Sequence, residues 1–268
     1  MKHDSHKLLA GSRVLVTRPK AQAPHLIEKI DQTGAIAISV PLLEIQSFRG
    51  AGYKKERAEI EAQTAAMDSF DDLVFVSRNA VTEACYWFAE TGAKELAKSK
   101  RIFAVGEATA SALAQQSFDP RYASSGMSSE ALLSVPELQQ VKDRNMLIIK
   151  GKNGRPLLFE TLVARGARVS CCDVYQRFCP KLAGQQLRQV WLDEDVDAVL
   201  VSSGEILDTL VSLLVGDVAV TVGSVKRLVV PSARVAEKAF EYGFENVTIA
   251  ENATDNAMVA ALCKQSAI

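Results

Sequence analysis

The sequence is poor in the side chains that most often perform metal-assisted, nucleophilic or imidazole chemistry. It has three histidines, and His25 has no cysteine or carboxylate near it in sequence with the spacing of a metal site or a catalytic triad. Its five cysteines form no CxxC pair, which favours reduced thiols packed as small apolar groups over a disulfide framework or a zinc site. We therefore expect no metal, no other cofactor and no catalytic histidine.

The chain also lacks long hydrophobic runs and an excess of charge. Its N-terminus has no apolar segment of the length of a secretory signal, and the longest later run, Leu210 to Val215, is too short to span a bilayer. With 31 basic and 32 acidic side chains, no net field attracts nucleic acid or an anionic membrane. These features predict a cytoplasmic protein without nucleic-acid or membrane partners. Because nothing in the sequence has the pattern of a dimer seam, we expect a monomer.

The common nucleotide-binding loops are absent as well. Neither GxxxxGK[ST] nor GxGxxG occurs, and the stretch GKNGR, at Gly151 to Arg155, imitates them only in part. A mononucleotide or a dinucleotide is therefore disfavoured as the ligand.

Short strands rich in Val, Leu and Ile recur along the chain, each followed by a polar turn and a helix. Examples are RVLVTRPKAQAPHLIEKIDQTGA, LVFVSRNAVTEACYWFAETGA and MLIIKGKNGRPLLFETLVARGA. Such alternation is typical of parallel sheets covered on both faces. Because 268 residues with 48% hydrophobic side chains suffice for two cores, we predict an α/β protein with two doubly wound parallel-sheet domains. The likeness of the first and last examples fits either a duplication or the general similarity of βα units.

Two stretches depart from this alternation. Val40 to Phe48 and Val169 to Phe178 each alternate like an exposed strand. We expect them to pair as a two-stranded linker, residues 41–48 and 169–178, so that one domain is inserted into the other. Domain 1 is then discontinuous, residues 1–40 plus 179–268, and domain 2 comprises residues 49–168. A two-stranded ribbon is weak alone, so the domains should be able to hinge.

The turns that follow the strands are rich in positive charge and in hydroxyl side chains. Their charged residues are Arg18, Lys20, Arg78, Lys150, Lys152, Arg155 and Arg234 against Glu107 and Glu205. In open parallel sheets such turns meet at one edge, where helix N-termini present unpaired N–H groups. Helix capping alone explains Ser77, Thr109, Ser202, Ser203 and Ser232 one by one. Several such helix ends around one cleft would instead favour a ligand with several dispersed negative groups.

Tyr175 lies on the second of the departing stretches. In an extended strand it projects to the same face as Asp173 and Arg177, while the intervening residues take the other face. Because a phenol keeps its proton near neutral pH, Tyr175 is a candidate proton donor in the cleft. The alternative is that its ring only fills space beneath that cleft.

Eight stretches carry a family resemblance through their order and spacing. They are VLVTRPKAQAPHLIEKIDQTGA, FVSRNAV, FAVGEATASAL, SSEALL, LIIKGKNGRPLLFETLVARGARV, VYQR, VLVSSGEIL and VPSARVAEKAFEYGFENVTIAENATDNAMVAAL. Over nearly its whole length the chain resembles the bacterial uroporphyrinogen-III synthases. The resemblance implies two α/β domains joined by a two-stranded ribbon, with the active site in the cleft between them.

The resemblance also implies a reaction. The family closes hydroxymethylbilane, a linear tetrapyrrole with several acetate and propionate carboxylates, to uroporphyrinogen III, with loss of water and inversion of ring D. The implied enzyme is a cyclising hydro-lyase of tetrapyrrole (haem) biosynthesis that acts on a small-molecule substrate. A transient contact with hydroxymethylbilane synthase, which makes that substrate, is a further expectation.

Site residues follow by similarity to the family's motifs. Tyr175, in VYQR, corresponds to the residue that assists departure of the substrate hydroxyl. The positions that approach the substrate are Ser77, Asn79, Thr109, Ser202 and Ser232. Arg18 and Arg155 match basic turn positions, whereas Lys150 stands where arginine is more usual, which keeps the charge but not bidentate carboxylate binding.

Two other functions compete with this interpretation. One is a non-enzymatic two-domain sensor or carrier of a small polyanion. The other is an α/β enzyme of the sugar-phosphate isomerase kind, which would need a clear base such as Glu or His in the cleft.

Overall fold

The computed structural model describes residues 9–124, 126, 128–215 and 221–264. Its strands are β1 (Arg13–Val16), β2 (Ile36–Ser39), β3 (Glu44–Ser47), β4 (Asp72–Phe75), β5 (Arg101–Ala104), β6 (Pro120–Arg121), β7 (Asn145–Gly151), β8 (Arg168–Phe178), β9 (Ala198–Leu200), β10 (Leu228–Val230) and β11 (Val247–Ile249). Its α-helices are α1 (Pro24–Asp31), α2 (Lys54–Ala65), α3 (Arg78–Glu90), α4 (Lys94–Lys98), α5 (Glu107–Gln115), α6 (Ser129–Leu133), α7 (Leu157–Ala164), α8 (Ala183–Asp193), α9 (Gly204–Leu214), α10 (Ala233–Glu241) and α11 (Asp255–Cys263). This alternation confirms the predicted α/β class.

The first strand–helix unit shows how the sequence specifies these elements. Residues 14–16 of β1 are fully buried, as expected of a central strand in a parallel sheet. Pro24 is the first residue of α1, where its missing N–H costs no helical hydrogen bond. Leu26 and Ile30, four residues apart, bury one face of the helix. Gly34, with a φ of 83°, then adopts the left-handed conformation that commonly follows a helix end.

The chain divides into two compact units. Unit 1 comprises Met1–Glu44 and Phe178–Ile268, and unit 2 comprises Ile45–Arg177, so unit 2 is inserted into the sequence of unit 1. Unit 1 has a five-stranded sheet in the order β11-β10-β9-β1-β2, and all four of its strand pairs are parallel. The second sheet has six strands in the order β3-β8-β7-β4-β5-β6, with parallel pairing from β8 through to β6. Both sheets have the predicted parallel architecture.

The sheet of unit 2 is covered on both faces. Alternate residues of β4 and β7 enter different cores: Leu73, Phe75, Leu147 and Ile149 pack with α3 and α5 residues, and their neighbours pack with α6 and α7 residues. This alternation follows from the two-residue period of a strand. Because both faces are buried, the strands read as continuous apolar runs, which is the pattern that the sequence shows.

The strands predicted to form the linker belong to the six-stranded sheet. β8 neighbours β3 on one side and pairs in parallel with β7 on the other, from Arg168 to Tyr175. The division between the two units falls at the start of β3 and at the end of β8. That these strands act as a hinge, with domain limits at 1–40 plus 179–268 and 49–168, stays a prediction.

Among the described residues, none of the helices has the length and apolar character needed to cross a membrane.

Candidate functional site

A cavity of about 520 Å³ lies at the carboxyl ends of the strands of unit 2. β4 leads into its wall at Val76 and Ser77, β5 at Val105, β7 at Lys150 and Gly151, and β8 at Tyr175. This is the edge at which open parallel sheets bind ligands. Its volume is within the range of cavities that hold small molecules.

The lining of this cavity combines apolar residues with cationic and hydroxyl groups. Ile148, Leu158 and Phe159 are among its apolar residues. Its charged residues, within the part of the chain that the structure describes, are Lys150, Arg155 and Arg177, and none of its lining residues there is a carboxylate. Such a lining favours an acidic ligand with an apolar body.

Tyr175 is a phenol in the wall of this cavity. The residue is only 4% exposed, and its hydroxyl oxygen lies 3.0 Å from the Ser77 Oγ. Ser77 is the N-cap of α3, and its Oγ accepts a hydrogen bond from the Ala80 N–H at 3.1 Å. The start of α3 and the end of β8 are thus joined through two hydroxyl groups.

The register between β7 and β8 shifts by one residue beside Tyr175. Lys150 is opposite Asp173, but Gly151 is opposite Tyr175, so β8 has one extra residue at Val174. Such bulges redirect side chains and recur next to active sites. The Tyr175 ring covers Gly151: a Cβ there would lie 2.6 Å from both Cε2 and Cζ.

The two predicted cations of this unit differ in their surroundings. Lys150 is mostly buried and forms an ion pair with Asp173 on the neighbouring strand, Nζ to Oδ1 2.9 Å. Arg155 precedes the N-terminus of α7, its side chain is 65% exposed, and its carboxylate partner, Glu130, is 3.6 Å away. Arg155 is therefore the more accessible of the two to a ligand.

Asn79 and Thr109 lie in the first turns of α3 and α5, on the same edge of the sheet. Asn79 is half-buried. Thr109 is only 3% exposed, and neither residue is among those that line the cavity. The structure therefore groups Ser77, Lys150, Arg155 and Tyr175 around one space and leaves these two residues beside it.

Three predicted residues belong to unit 1. Arg18, Ser202 and Ser232 follow β1, β9 and β10, three neighbouring strands, so they lie at one edge of its sheet. Ser203, rather than Ser202, caps α9 by accepting from the Ile206 N–H at 3.2 Å. Ser232 is the N-cap residue of α10 by backbone position, but its hydroxyl makes no capping hydrogen bond. The hydroxyls of Ser202 and Ser232 thus have no capping role here.

Arg18 is buried and engaged within unit 1. Its guanidinium pairs with Asp255, the first residue of α11, and donates to the Ala253 carbonyl at 2.9 Å. The same carboxylate lies 2.8 Å from the His25 Nδ1. Burial would raise the pKa of Asp255, but hydrogen bonds from His25 and Arg18 hold it below its usual range.

Sequence reasoning missed several residues of the cavity. Ser128 and Ser129 line it at the start of α6, and Gly151, Gly154 and Cys171 line it as well. A glycine within a strand pattern signals close approach of another group, which is the signal that Gly151 offered. No comparable signal marks Cys171, because its place on the wall depends on strand register.

The thiols of this region are protonated at neutral pH. Burial raises the pKa of the Cys171 thiol, and it raises that of Cys172 to about 12. Since the thiolate is the nucleophile, neither residue is suited to covalent chemistry. Across the described residues, histidine, cysteine and carboxylate side chains form no cluster suited to a metal ion.

The fold and this site define an α/β protein whose parallel sheet ends in a cationic cavity with a buried phenol. A family profile described as uroporphyrinogen-III synthase HemD matches residues 24–260. The chain therefore belongs to the uroporphyrinogen-III synthase family, as its motifs indicated. Members of this family are enzymes of tetrapyrrole and haem biosynthesis.

Individual relatives agree with this assignment. The uroporphyrinogen-III synthase of Salmonella typhimurium is 36% identical over 251 residues, which cover 93% of this chain and 99% of the relative. That of Escherichia coli K12 is 33% identical over 250 residues, with the same two coverages of 93% and 99%.

Solved structures show the same fold. A mutant uroporphyrinogen III synthase of Thermus thermophilus aligns with a TM-score of 0.69 at 17% identity, covering 94% of this chain and 97% of that one. The uroporphyrinogen-III synthetase of Helicobacter pylori 26695 aligns with a TM-score of 0.60 at 13% identity, covering 94% and 98%.

Proposed function

We propose that this chain closes hydroxymethylbilane to uroporphyrinogen III, with loss of water and inversion of ring D, and that the cavity of unit 2 holds the reacting end of the substrate. One observation carries the proposal. A buried phenol, Tyr175, stands in the wall of a cavity whose described lining has three cations and no carboxylate. The substrate is a polycarboxylate that must lose a hydroxyl group, so it needs cationic contacts and a hydrogen-bond donor.

The substrate supplies most of the driving force. The electron pair of the pyrrole nitrogen expels the terminal hydroxyl, which takes up a proton and leaves as water, and an azafulvene remains. Ring D attacks this azafulvene through its substituted carbon, and the resulting spiro intermediate fragments and recloses. Tyr175 donates a hydrogen bond or proton to the departing hydroxyl, which is the contribution of a general acid.

The main task of the protein is to hold the rings. Spontaneous closure gives isomer I, so the enzyme must bring the disfavoured carbon of ring D to the azafulvene, which is a matter of proximity and orientation. Lys150 and Arg155 supply charge for substrate carboxylates, and the N-terminus of α7, next to Arg155, adds backbone N–H groups. The apolar lining residues accommodate a pyrrole ring.

The remaining predicted residues complete the set of contacts. In unit 2 we assign substrate approach to Ser77, Asn79 and Thr109, the last two through the N-terminal turns in which they lie. In unit 1 we assign further carboxylates to the turns of Ser202 and Ser232, whose hydroxyls are not used for capping. Arg18 would have to exchange Asp255 for a substrate carboxylate.

The finer circumstances of the reaction belong to the same proposal. We place the protein in the cytoplasm as a monomer that receives an unstable substrate from hydroxymethylbilane synthase by transient contact. Size-exclusion chromatography with light scattering tests the monomer, and an added excess of inactive protein tests the contact. If transfer is direct, the inactive copy competes for the synthase and lowers the yield of isomer III.

The central experiment is an isomer assay. Purified protein is supplied with freshly made hydroxymethylbilane, and the products are oxidised and separated by chromatography. Predominant isomer III at a rate above the spontaneous one supports the proposal. Isomer I at the rate found without protein would refute it and leave the polyanion carrier as the better description.

A further inference from the structure

The geometry around Tyr175 assigns a role to its neighbours that goes beyond the phenol itself. We infer that Ser77 is a positioning residue, which donates its hydroxyl proton to the Tyr175 oxygen and so leaves the phenol proton free for the substrate. This inference rests on the proposed function, because it concerns the acid of that reaction.

Ser77 uses one of its hydrogen-bonding groups to cap α3. A serine hydroxyl has one proton and two lone pairs. One lone pair of Ser77 accepts the Ala80 N–H at 3.1 Å, which fixes the Oγ at the N-cap of α3. The Oγ lies 3.0 Å from the Tyr175 hydroxyl oxygen, and either atom can be the donor by distance alone.

The choice of donor decides what Tyr175 can do. If the phenol donated to Ser77, its only proton would be used within the protein. If Ser77 donates, the phenol oxygen accepts and its own O–H points elsewhere. A hydrogen bond accepted by a hydroxyl also polarises it and strengthens the bond it donates. Only the second arrangement gives a phenol in the cavity wall that can donate to a ligand.

The ring of Tyr175 is held in place by the backbone around it. The one-residue register shift at Val174 places Tyr175 opposite Gly151, and the ring lies directly on the glycine backbone. Gly151 is not among the residues with positive φ, so its backbone does not itself require glycine. The backbone of Tyr175 is held as well, because its carbonyl accepts the Lys152 N–H at 2.8 Å. Because the ring is held in place, it cannot move to a new partner. Loss of the Ser77 hydroxyl would therefore leave the Tyr175 oxygen without this hydrogen bond.

Substitutions at Ser77 separate this role from helix capping. Ser77→Ala removes both functions, whereas Ser77→Asp keeps an N-cap acceptor but has no proton to donate when ionised. Ser77→Thr keeps both. We expect kcat for isomer III to fall about fivefold in Ser77→Ala, the worth of one hydrogen bond of about 1 kcal/mol. In Ser77→Asp, kcat should fall at least as far, whereas Ser77→Thr, which keeps the donor, should retain a higher kcat than either of these variants.

A double-mutant cycle with Tyr175→Phe is the decisive measurement. If Ser77 acts through the phenol, Ser77→Ala should not lower kcat any further in a Tyr175→Phe protein. An equal fold-decrease in kcat with and without the Tyr175→Phe substitution would overturn the inference, as would a parent-like kcat in Ser77→Asp. Neither of these results would touch the proposed reaction, which fails separately if isomer III is not formed.

A readout without substrate makes the contact visible independently of activity. In protein labelled with ¹³Cζ-tyrosine, the Tyr175 resonance is assigned by its absence from Tyr175→Phe. Ser77→Ala should shift this resonance. Ser203→Ala is the matched control, because Ser203 caps α9 with nearly the same backbone angles and has a comparable capping bond of 3.2 Å. A Tyr175 signal that ignores both substitutions would contradict the hydrogen bond.

Discussion

Arg18 donates to Asp255 across 237 residues of sequence, and this pair joins the turn after β1 to the first turn of α11. The Arg18 side chain is only 10% exposed, so its guanidinium cannot be replaced by water without loss. Arg18, which we propose as a substrate contact, is therefore also a structural residue of unit 1.

We expect Arg18→Ala to destabilise unit 1 by about 3 kcal/mol, because it takes from the partly buried Asp255 carboxylate its arginine partner and leaves it next to His25. Urea unfolding measures the loss, and hydrogen exchange should show reduced protection in α11. The control is Arg168→Ala, whose pair with Asp143 is 3.8 Å long and solvent-exposed and should contribute about 1 kcal/mol or less. Unchanged protection of α11 would contradict the structural role.

Asp72 stabilises the opposite, amino-terminal edge of the sheet of unit 2. It is fully buried and accepts forked hydrogen bonds from Arg101 and Arg144. We expect Asp72→Asn to cost about 3 kcal/mol, because two arginines lose their shared counter-charge. Fluorescence of the buried Trp87 during urea unfolding measures this loss of stability, in a Trp191→Phe background so that Trp87 is the one fluorescent tryptophan. Asp68→Asn, at an exposed carboxylate, should change little.

The contribution of Asp72 depends on pH. Burial opposes ionisation, but hydrogen bonds from Arg101 and Arg144 hold the pKa of Asp72 below its ordinary value. The unfolded chain then binds more protons than the folded one near and below pH 4, so stability falls as the pH falls. The difference between the parent and Asp72→Asn should be full above about pH 5 and should shrink on acidification. A difference that stays constant down to pH 3 would contradict this account.

Gly151 is expected to tolerate no side chain while Tyr175 is present. Gly151→Ala should displace the ring, destabilise the protein by about 1 to 3 kcal/mol and lower kcat. Tyr175→Ala removes the obstacle, so the stability cost of Gly151→Ala should largely vanish in that background. Gly52→Ala, where nothing lies within 4 Å of a new Cβ, is the control. Equal costs in both backgrounds would show that the ring is not the cause.

Tyr175→Phe tests the acid. We expect kcat for isomer III to fall by about 10² while the fold is retained, because the loss of a general acid costs at least that much. Tyr122→Phe, at a half-exposed tyrosine outside the cavity lining, should behave like the parent. Unchanged turnover in Tyr175→Phe would refute the catalytic role that we propose for Tyr175, whatever the isomer ratio.

Arg155→Ala tests carboxylate binding. The side chain is exposed and its pair with Glu130 is long, so stability should change little. KM should rise about tenfold, the equivalent of one charge-assisted hydrogen bond, with little change in isomer ratio. The effect should weaken with added salt. The control is Lys55→Ala, which also removes one positive charge, from an exposed position on α2, and should leave KM unchanged. Equal KM values for Arg155→Ala and the parent would refute the assignment.

Much of the site was predictable because it lies in turns with local signatures. The strand–turn–helix pattern located Ser77, Lys150 and Arg155 at strand ends, and parallel sheets bring such ends to one edge. The cavity lining at Ser128 and Cys171 was not predictable, since it depends on strand order and register. The pairing of Arg18 with Asp255 could not be predicted for the same reason.

The α/β class, the parallel sheets and the charged turns follow from local sequence, because the periodicity of apolar residues and the residues at helix starts involve only neighbouring positions. Which side chains come into contact depends instead on how distant segments pack. Ser77 and Tyr175 are 98 residues apart, and their contact depends on the order of β4, β7 and β8 and on a one-residue register shift. A shift of that size reverses the face of a side chain, and no local pattern records it.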